Sequence, residues 1–157
     1  MSKSHRYSTT LTWTGSTGAG TTGYRDYERA HEIAVDGKPA ILGSSDPSFR
    51  GDAARWNPEE LLLASISSCH QLWYLHLCAV AGVVVVAYRD VAVATMVEDE
   101  TGGGRFESAI LRPHVTIAAG SDPVEALALH HAANAKCFVA NSLNFPVGHD
   151  ATVEVAG

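Results

Sequence analysis

Residues 57–82 read NPEELLLASISSCHQLWYLHLCAVAG, and the fold turns on this stretch. Asn57 is a good helix N-cap, Pro58 suits the first helical position, and Glu60 stands at the capping-box spacing from Asn57. Glu59 and Glu60 also lie at the positive end of the helix dipole. Gly82 provides a stop, and the β-branched run that follows reads as strand. The stretch is therefore one long apolar helix carrying Cys69 and Cys78. It is interrupted by Ser67, Ser68, His70, Gln71 and His76, too often for a bilayer span.

On the N-terminal side, residues 5–14 are rich in Thr and aromatics and read as a strand, and GSTGAGTTG breaks it. YERAHEIAVDGKPAIL reads as a second strand that turns at Asp36 and Gly37, and an irregular connection leads to the helix. On the C-terminal side, residues 87–99, the turn TGGGR and residues 106–119 read as an antiparallel hairpin. Pro113 there is expected at a bulge or edge. SDPVEALALHHAANAKCFVANSLN repeats the helix-start chemistry with Asp122, Pro123 and Glu125, and FPVGHDATVEV closes as a short strand. The order β-β-α-β-β-α-β indicates an α+β fold, with two long helices packed on antiparallel or mixed sheets. A length of 157 residues suits a single domain, 1–157.

The charge, 11 − 17 = −6, and the lack of a basic stripe argue against nucleic acid and anionic membranes as partners. The opening residues lack the apolar core of a secretory signal, and three cysteines without one fit a reducing compartment. The expectation is a soluble cytoplasmic protein.

Cys69 and Cys78 are nine positions apart on one helix. That puts them on roughly opposite faces and ~13 Å apart along the axis, whereas a disulfide needs Cα atoms within about 7 Å. Within the chain, either could pair only with Cys137, and spacing does not choose between them. A free cysteine in an apolar helix is usually a small core residue, which is the reading for Cys78. The neighbours of Cys69, SSCHQ, are polar for mid-core and point to a lined cavity or an interface.

NPEELLLASISSCH, followed some seventy residues later by AKCFVANSLNFPV, resembles the OsmC/Ohr family of thiol-dependent peroxidases. The resemblance covers nearly the whole chain. It implies an intertwined α+β homodimer that reduces organic hydroperoxides to alcohols, a stress-response antioxidant without a cofactor. By this resemblance Cys69 is the peroxidatic thiol, Cys137 the resolving one, and Glu59 the carboxylate that orients an active-site arginine. An external dithiol, of lipoyl type in relatives, is the implied reductant. Cys78 has no part in that pattern. His70 after the first cysteine and Phe138 after the second depart from the residues common in the family, and they place the chain in a less studied branch.

The chemistry needs a thiolate, and burial opposes one, so a cation must stand close by. Arginine suits because it stays charged and can hydrogen-bond the leaving oxygen. Arg25, Arg29, Arg50 and Arg55 precede the helix. By resemblance to different branches, Arg50 is favoured over Arg25 and Arg29. Glu59 and Cys69 are ten residues apart, ~15 Å on a helix, so Glu59 must serve the thiol through an arginine or from a second chain. His70, Trp73 and Phe138 are the candidate substrate-binding residues, although His70 points ~100° from Cys69 and can equally be structural.

A zinc site is the first rival, but no CxxC, HxxxH or HExxH spacing occurs, and the adjacent His130 and His131 face different ways on a helix. No metal is expected. The second rival is a non-enzymatic dimeric module that binds an apolar small molecule in a pocket lined by Leu61, Leu62, Trp73 and Phe138.

Overall fold

The structure is a computed structural model and describes residues 3–157. The first two positions of the N-terminal reading, Met1 and Ser2, lie outside the described residues. The chain forms two compact units, the first running to Leu61 and the second from Leu62 to Gly157.

The first unit holds three strands in one antiparallel sheet of order β1-β2-β3: β1 (Thr10–Trp13), β2 (His31–Ala34) and β3 (Ile41–Gly43). Leu11 pairs with Ile33, which pairs in turn with Ile41. The expected second strand is thus a hairpin whose turn includes Gly37, at a φ of 75° that favours glycine. Between β1 and β2, the Trp13 indole N–H donates to the Glu28 carbonyl at 2.9 Å, and its ring meets Tyr27 edge-on. The connection after β3 contains one 3-10 turn, Pro47–Phe49, capped by Asp46. It ends where the Ser44 N–H donates to the Trp56 carbonyl at 2.9 Å.

Helix α1 (Pro58–Ala81) begins as its first four residues dictate. The Glu60 N–H donates to Asn57 Oδ1 at 2.8 Å, and the Asn57 N–H donates to Glu60 Oε2 at 3.2 Å, a reciprocal capping box. The helix ends on Gly82, φ 75°, with Val83 N–H bonded to the Cys78 carbonyl at 2.9 Å. That six-to-one bond satisfies a carbonyl the helix would otherwise leave open.

The second unit packs the rest of α1 with α2 (Pro123–Lys136) and two three-stranded sheets. One has the order β4-β7-β9, from β4 (Val85–Asp90), β7 (Pro113–Ile117) and β9 (Thr152–Val155). The other is β5-β6-β8, from β5 (Val93–Glu98), β6 (Gly104–Leu111) and β8 (Val147–His149). β4 pairs with β7 and β5 with β6 antiparallel, while β8 and β9 each add in parallel.

Three expectations are corrected here. The long hairpin divides at residues 91–92 and at Arg112 into four strands, whose two halves enter different sheets. Pro113 sits in a central strand rather than at an edge. It is the first residue of β7, where a missing N–H breaks little of the ladder. The closing strand is two strands, separated at residues 150–151.

Two apolar clusters carry this unit. Tyr74, Cys78, Val83, Val115, Ile117, Ala126 and Ala133 form one; Ile66, Ala109 and Leu111 form the other. Fully burying a Val, Leu or Ile side chain contributes about 1.5–3 kcal/mol, so the strand residues Leu111, Val115 and Ile117, all 0% exposed, hold the helices against the sheets. Among the described residues no helix is long and apolar enough to cross a membrane.

Candidate active site

Cys69 lies on the face of α1 formed by Ser65, Ser68, Leu72, Trp73 and His76, the positions that recur at helical spacing around it. With Phe138 these residues line an open cavity of about 590 Å³. Trp73 is its main wall. Phe138 meets the indole edge-on at 5.5 Å between centroids, and His76 does so at 5.8 Å. Lys136 Nζ stands 5.5 Å from the indole centroid on the cation-π side, bringing a positive charge to the cavity wall. Among the described residues, no arginine lines the cavity.

Cys137 lies just past the second helix and caps its end in extended conformation, with its N–H on the Asn134 carbonyl at 3.2 Å. The chain then closes into one 3-10 turn, Ala140–Ser142, and the Ala140 N–H donates to Cys137 Sγ at 3.4 Å. The buried Cys137 thiol is pushed up to about 11, first by burial and then by the neighbouring Cys69 thiol. Cys69 is thus the cysteine of α1 that meets Cys137, a choice left open by spacing alone. Both thiols are free.

Cys78 faces the other way. It is buried beside Tyr74, and burial raises its thiol. The Tyr74 hydroxyl donates to the Ala126 carbonyl on α2 at 3.1 Å.

Of the three candidate substrate-binding residues, Trp73 and Phe138 line the cavity and His70 does not. It is 0% exposed and turned away from the cavity, with its Nε2 3.0 Å from Nδ1 of the equally buried His130. The ~100° between successive helical residues is the reason. Burial holds His70 down at about 4 and His130 at about 3, so both rings are neutral at neutral pH. His149 faces both rings, and burial lowers it too. His131, next to His130, is exposed. No group of three or more His, Cys, Asp or Glu among the described residues is arranged to hold a metal.

The remaining candidates belong to the first unit. Glu59 is half-buried, and its Oε2 is enclosed without a hydrogen-bond partner among the described residues. Arg29 is clamped between Tyr24 and Tyr27, 4.4 and 4.2 Å from their ring centroids, and donates to both of their carbonyls. Arg55 pairs with Asp52 at 3.6 Å. Arg25 and Arg50 are exposed, with no side-chain partner among the described residues. Among the described non-glycine residues, Arg50 alone has a left-handed backbone, φ 65°.

Ser65, Ser68, Leu72 and His76 were missed as lining residues, although their spacing from Cys69 carries the signal. The His70–His130 contact has no local signal, since 60 residues separate the pair.

The family model of OsmC-like proteins matches residues 51–151. The chain belongs to the OsmC-like family. An OsmC-like protein of unknown function from Vibrio cholerae shares 30% identity and a TM-score of 0.86, over 95% of this chain and 100% of that one. An organic hydroperoxide resistance protein from Elizabethkingia anophelis superposes with a TM-score of 0.70 at 19% identity, covering 99% of this chain and 100% of the other. That of Bacillus subtilis gives 0.61 at 19%, covering 94% and 98%. These last two show the shared α+β fold. Among curated proteins the sequence has no match.

Proposed function

We propose that this OsmC-like protein is a thiol-dependent peroxidase that reduces organic hydroperoxides to alcohols. The observation that carries the reading is a half-buried cysteine on the wall of an open apolar cavity, with a second, buried thiol beside it. The Cys69 thiolate attacks the outer oxygen of ROOH. The O–O bond breaks, Cys69 becomes a sulfenic acid, and the alkoxide takes a proton to leave as ROH. The Cys137 sulfur then attacks the sulfenic sulfur, which releases water and forms the Cys69–Cys137 disulfide. An external dithiol, of lipoyl type, returns both thiols.

The roles divide by environment. Cys137, pushed up to about 11, stays a thiol until its partner is oxidised, which suits a resolving rather than an attacking residue. Leu72, Trp73 and Phe138 give the organic group of the peroxide an apolar surface. The thiolate also needs a cation. Arg50 is our choice, with Arg25 behind it. Among the described residues both guanidiniums are unengaged, whereas that of Arg29 is locked between its tyrosines. The unpartnered carboxylate oxygen of Glu59 supports its role as the orienting anion for that arginine. The working unit is a cytoplasmic homodimer with a shared site, in which residues 1–157 act as one OsmC-like domain.

The same cavity supports a second reading, a non-enzymatic dimeric carrier of an apolar small molecule, because its wall is almost wholly apolar. A thiol count by mass spectrometry, before and after one equivalent of cumene hydroperoxide, separates the two. Loss of two thiols with a Cys69–Cys137 cross-link is the expected result. Three unchanged thiols would leave the carrier.

A further inference from the structure

The His70–His130 pair has no part in the chemistry above, yet it joins the two segments that carry the two thiols. Each ring is 0% exposed. The outer nitrogens, His70 Nδ1 and His130 Nε2, have no hydrogen-bond partner among the described residues, so the one hydrogen bond of each ring goes to the other. The rings are nearly parallel, 4° between planes, with 5.4 Å between centroids. This leaves the lone pair of one nitrogen facing the N–H of the other, as a directional bond requires.

The pair sits close to the cysteines along both segments. His70 follows Cys69 directly, and His130 is seven residues, about two helical turns, before Cys137. Seven residues return to nearly the same face, so His130, Ala133 and Cys137 share one stripe, and all three are buried. The second tie between the helices, Tyr74 to the Ala126 carbonyl, lies one turn further along α1 and one turn back along α2. The helices thus pass each other in opposite senses, and Cys137 lies on the side where Cys69 precedes His70.

Apolar packing holds two helices together without fixing their axial position to a fraction of an ångström. A buried polar bond does, since any slide leaves both groups unsatisfied in a dry core. We propose that the His70–His130 hydrogen bond is a register pin, a positioning pair that holds α1 against α2 so that the Cys137 sulfur meets Cys69. The proposal rests on the Cys69–Cys137 pairing of the peroxidase reading, but not on peroxide as the substrate.

The test uses two double variants of identical composition. The bonded atoms are Nε2 of His70 and Nδ1 of His130. A glutamine amide reaches the ε position and an asparagine amide the δ position. His70→Gln/His130→Asn therefore keeps the bond, whereas His70→Asn/His130→Gln places both amides wrongly. A role in volume or polarity alone predicts the same behaviour for both.

The readout is the equilibrium between the reduced protein and its Cys69–Cys137 disulfide in glutathione buffers, with mass spectrometry identifying the pair. In that exchange, glutathione disulfide is reduced to two glutathiones as the two protein thiols are oxidised. The equilibrium constant reports the effective concentration of one thiol at the other, with no peroxide present. We expect the first variant to stay near the wild-type value and the second to fall by ~10-fold or more, with matched thermal unfolding showing that both are folded.

Equal constants for the two variants would overturn the pin. If the crossed variant does not fold, His130→Asn against His130→Gln makes the same comparison, again with equal constants as the overturning result. A wild type that forms the disulfide with glutathione but never with hydroperoxide would reject the peroxidase reading and leave the pin standing. A wild type that forms no such disulfide in either would reject both.

Discussion

Cys69 and Cys78 share one helix, nine residues apart, and their surroundings have almost nothing in common. Cys69 opens onto a cavity walled by Leu72, Trp73 and Phe138 and stands beside a second thiol. Cys78 is enclosed with Tyr74, Val83 and Val115, and burial raises its thiol. The helix supplies the same residue type twice. What differs is the element opposite: a chain end leaving α2 at Cys137 in one case, the β4-β7-β9 sheet and the body of α2 in the other. Reactivity is therefore a property of what each face meets, and thiols with identical local helix geometry are expected to behave differently.

The sharpest way to break this contrast is substitution. Cys69→Ser should reduce hydroperoxide consumption by ~10³-fold or more, as expected for loss of a nucleophile, while Cys78→Ser should leave the rate near wild type. Stopped-flow measurement with cumene hydroperoxide checks both. A Cys78 variant that is the more damaged of the two would reverse the assignment. Cys137→Ser sharpens the other half. One equivalent of peroxide should still be reduced, a sulfenic acid should accumulate at Cys69 and trap with dimedone, and multiple turnover with dithiol should fall well below wild type. Full turnover without Cys137 would mean that the neighbouring thiol is incidental.

How much of this was legible in the sequence follows from the range of the interactions. The caps of α1 and α2 are written in four-residue patterns, and Asn57, Glu60 and Asp122 make the bonds those patterns imply. Gly82 ends α1 for an equally local reason. The sheets were less legible. β8 and β9 join in parallel to strands far back in the chain, and nothing within β6 or β7 announces a partner at Val147 or Thr152. The same limit applies to the site. That Cys69 rather than Cys78 meets Cys137, and that His70 turns to His130, are both long-range outcomes of helix packing. Only the resemblance to OsmC/Ohr proteins carried the first of these across that gap, and it was silent on the second.

The buried histidines give the comparison a pH dimension. Both are held neutral, chiefly by burial and then by neighbouring imidazoles, with Asp90 pulling His70 slightly back. Their folded values, about 4 and about 3, lie below the ordinary 6.5. The unfolded chain therefore binds more protons below pH 6.5, and stability is full above that value and falls as pH drops toward 3–4. The shift of His70 alone corresponds to a loss on the order of 3 kcal/mol over that window, a large share of a typical domain's stability. Urea unfolding at a series of pH values should show it. Replacing both residues by leucine should flatten the acid limb, and a wild-type curve already flat between pH 6.5 and 4 would contradict neutral burial.

The smallest expected effect falls on the closed side of the helix. The Tyr74 hydroxyl bonds the Ala126 carbonyl, and its ring lies flat on His130 at 3.8 Å between centroids. Tyr74→Phe keeps the ring, the stack and nearly all the buried apolar area, and removes the hydroxyl. One neutral hydrogen bond is worth about 1 kcal/mol net, and the carbonyl left without it adds to the cost, so unfolding free energy should drop by about 1–2 kcal/mol. Peroxide consumption should change little, because the His70–His130 bond still holds the two helices in register. A Tyr74→Phe protein of unchanged stability but slowed peroxide reduction would join the two sides of α1 into one functional region, contrary to the division drawn between its two cysteines.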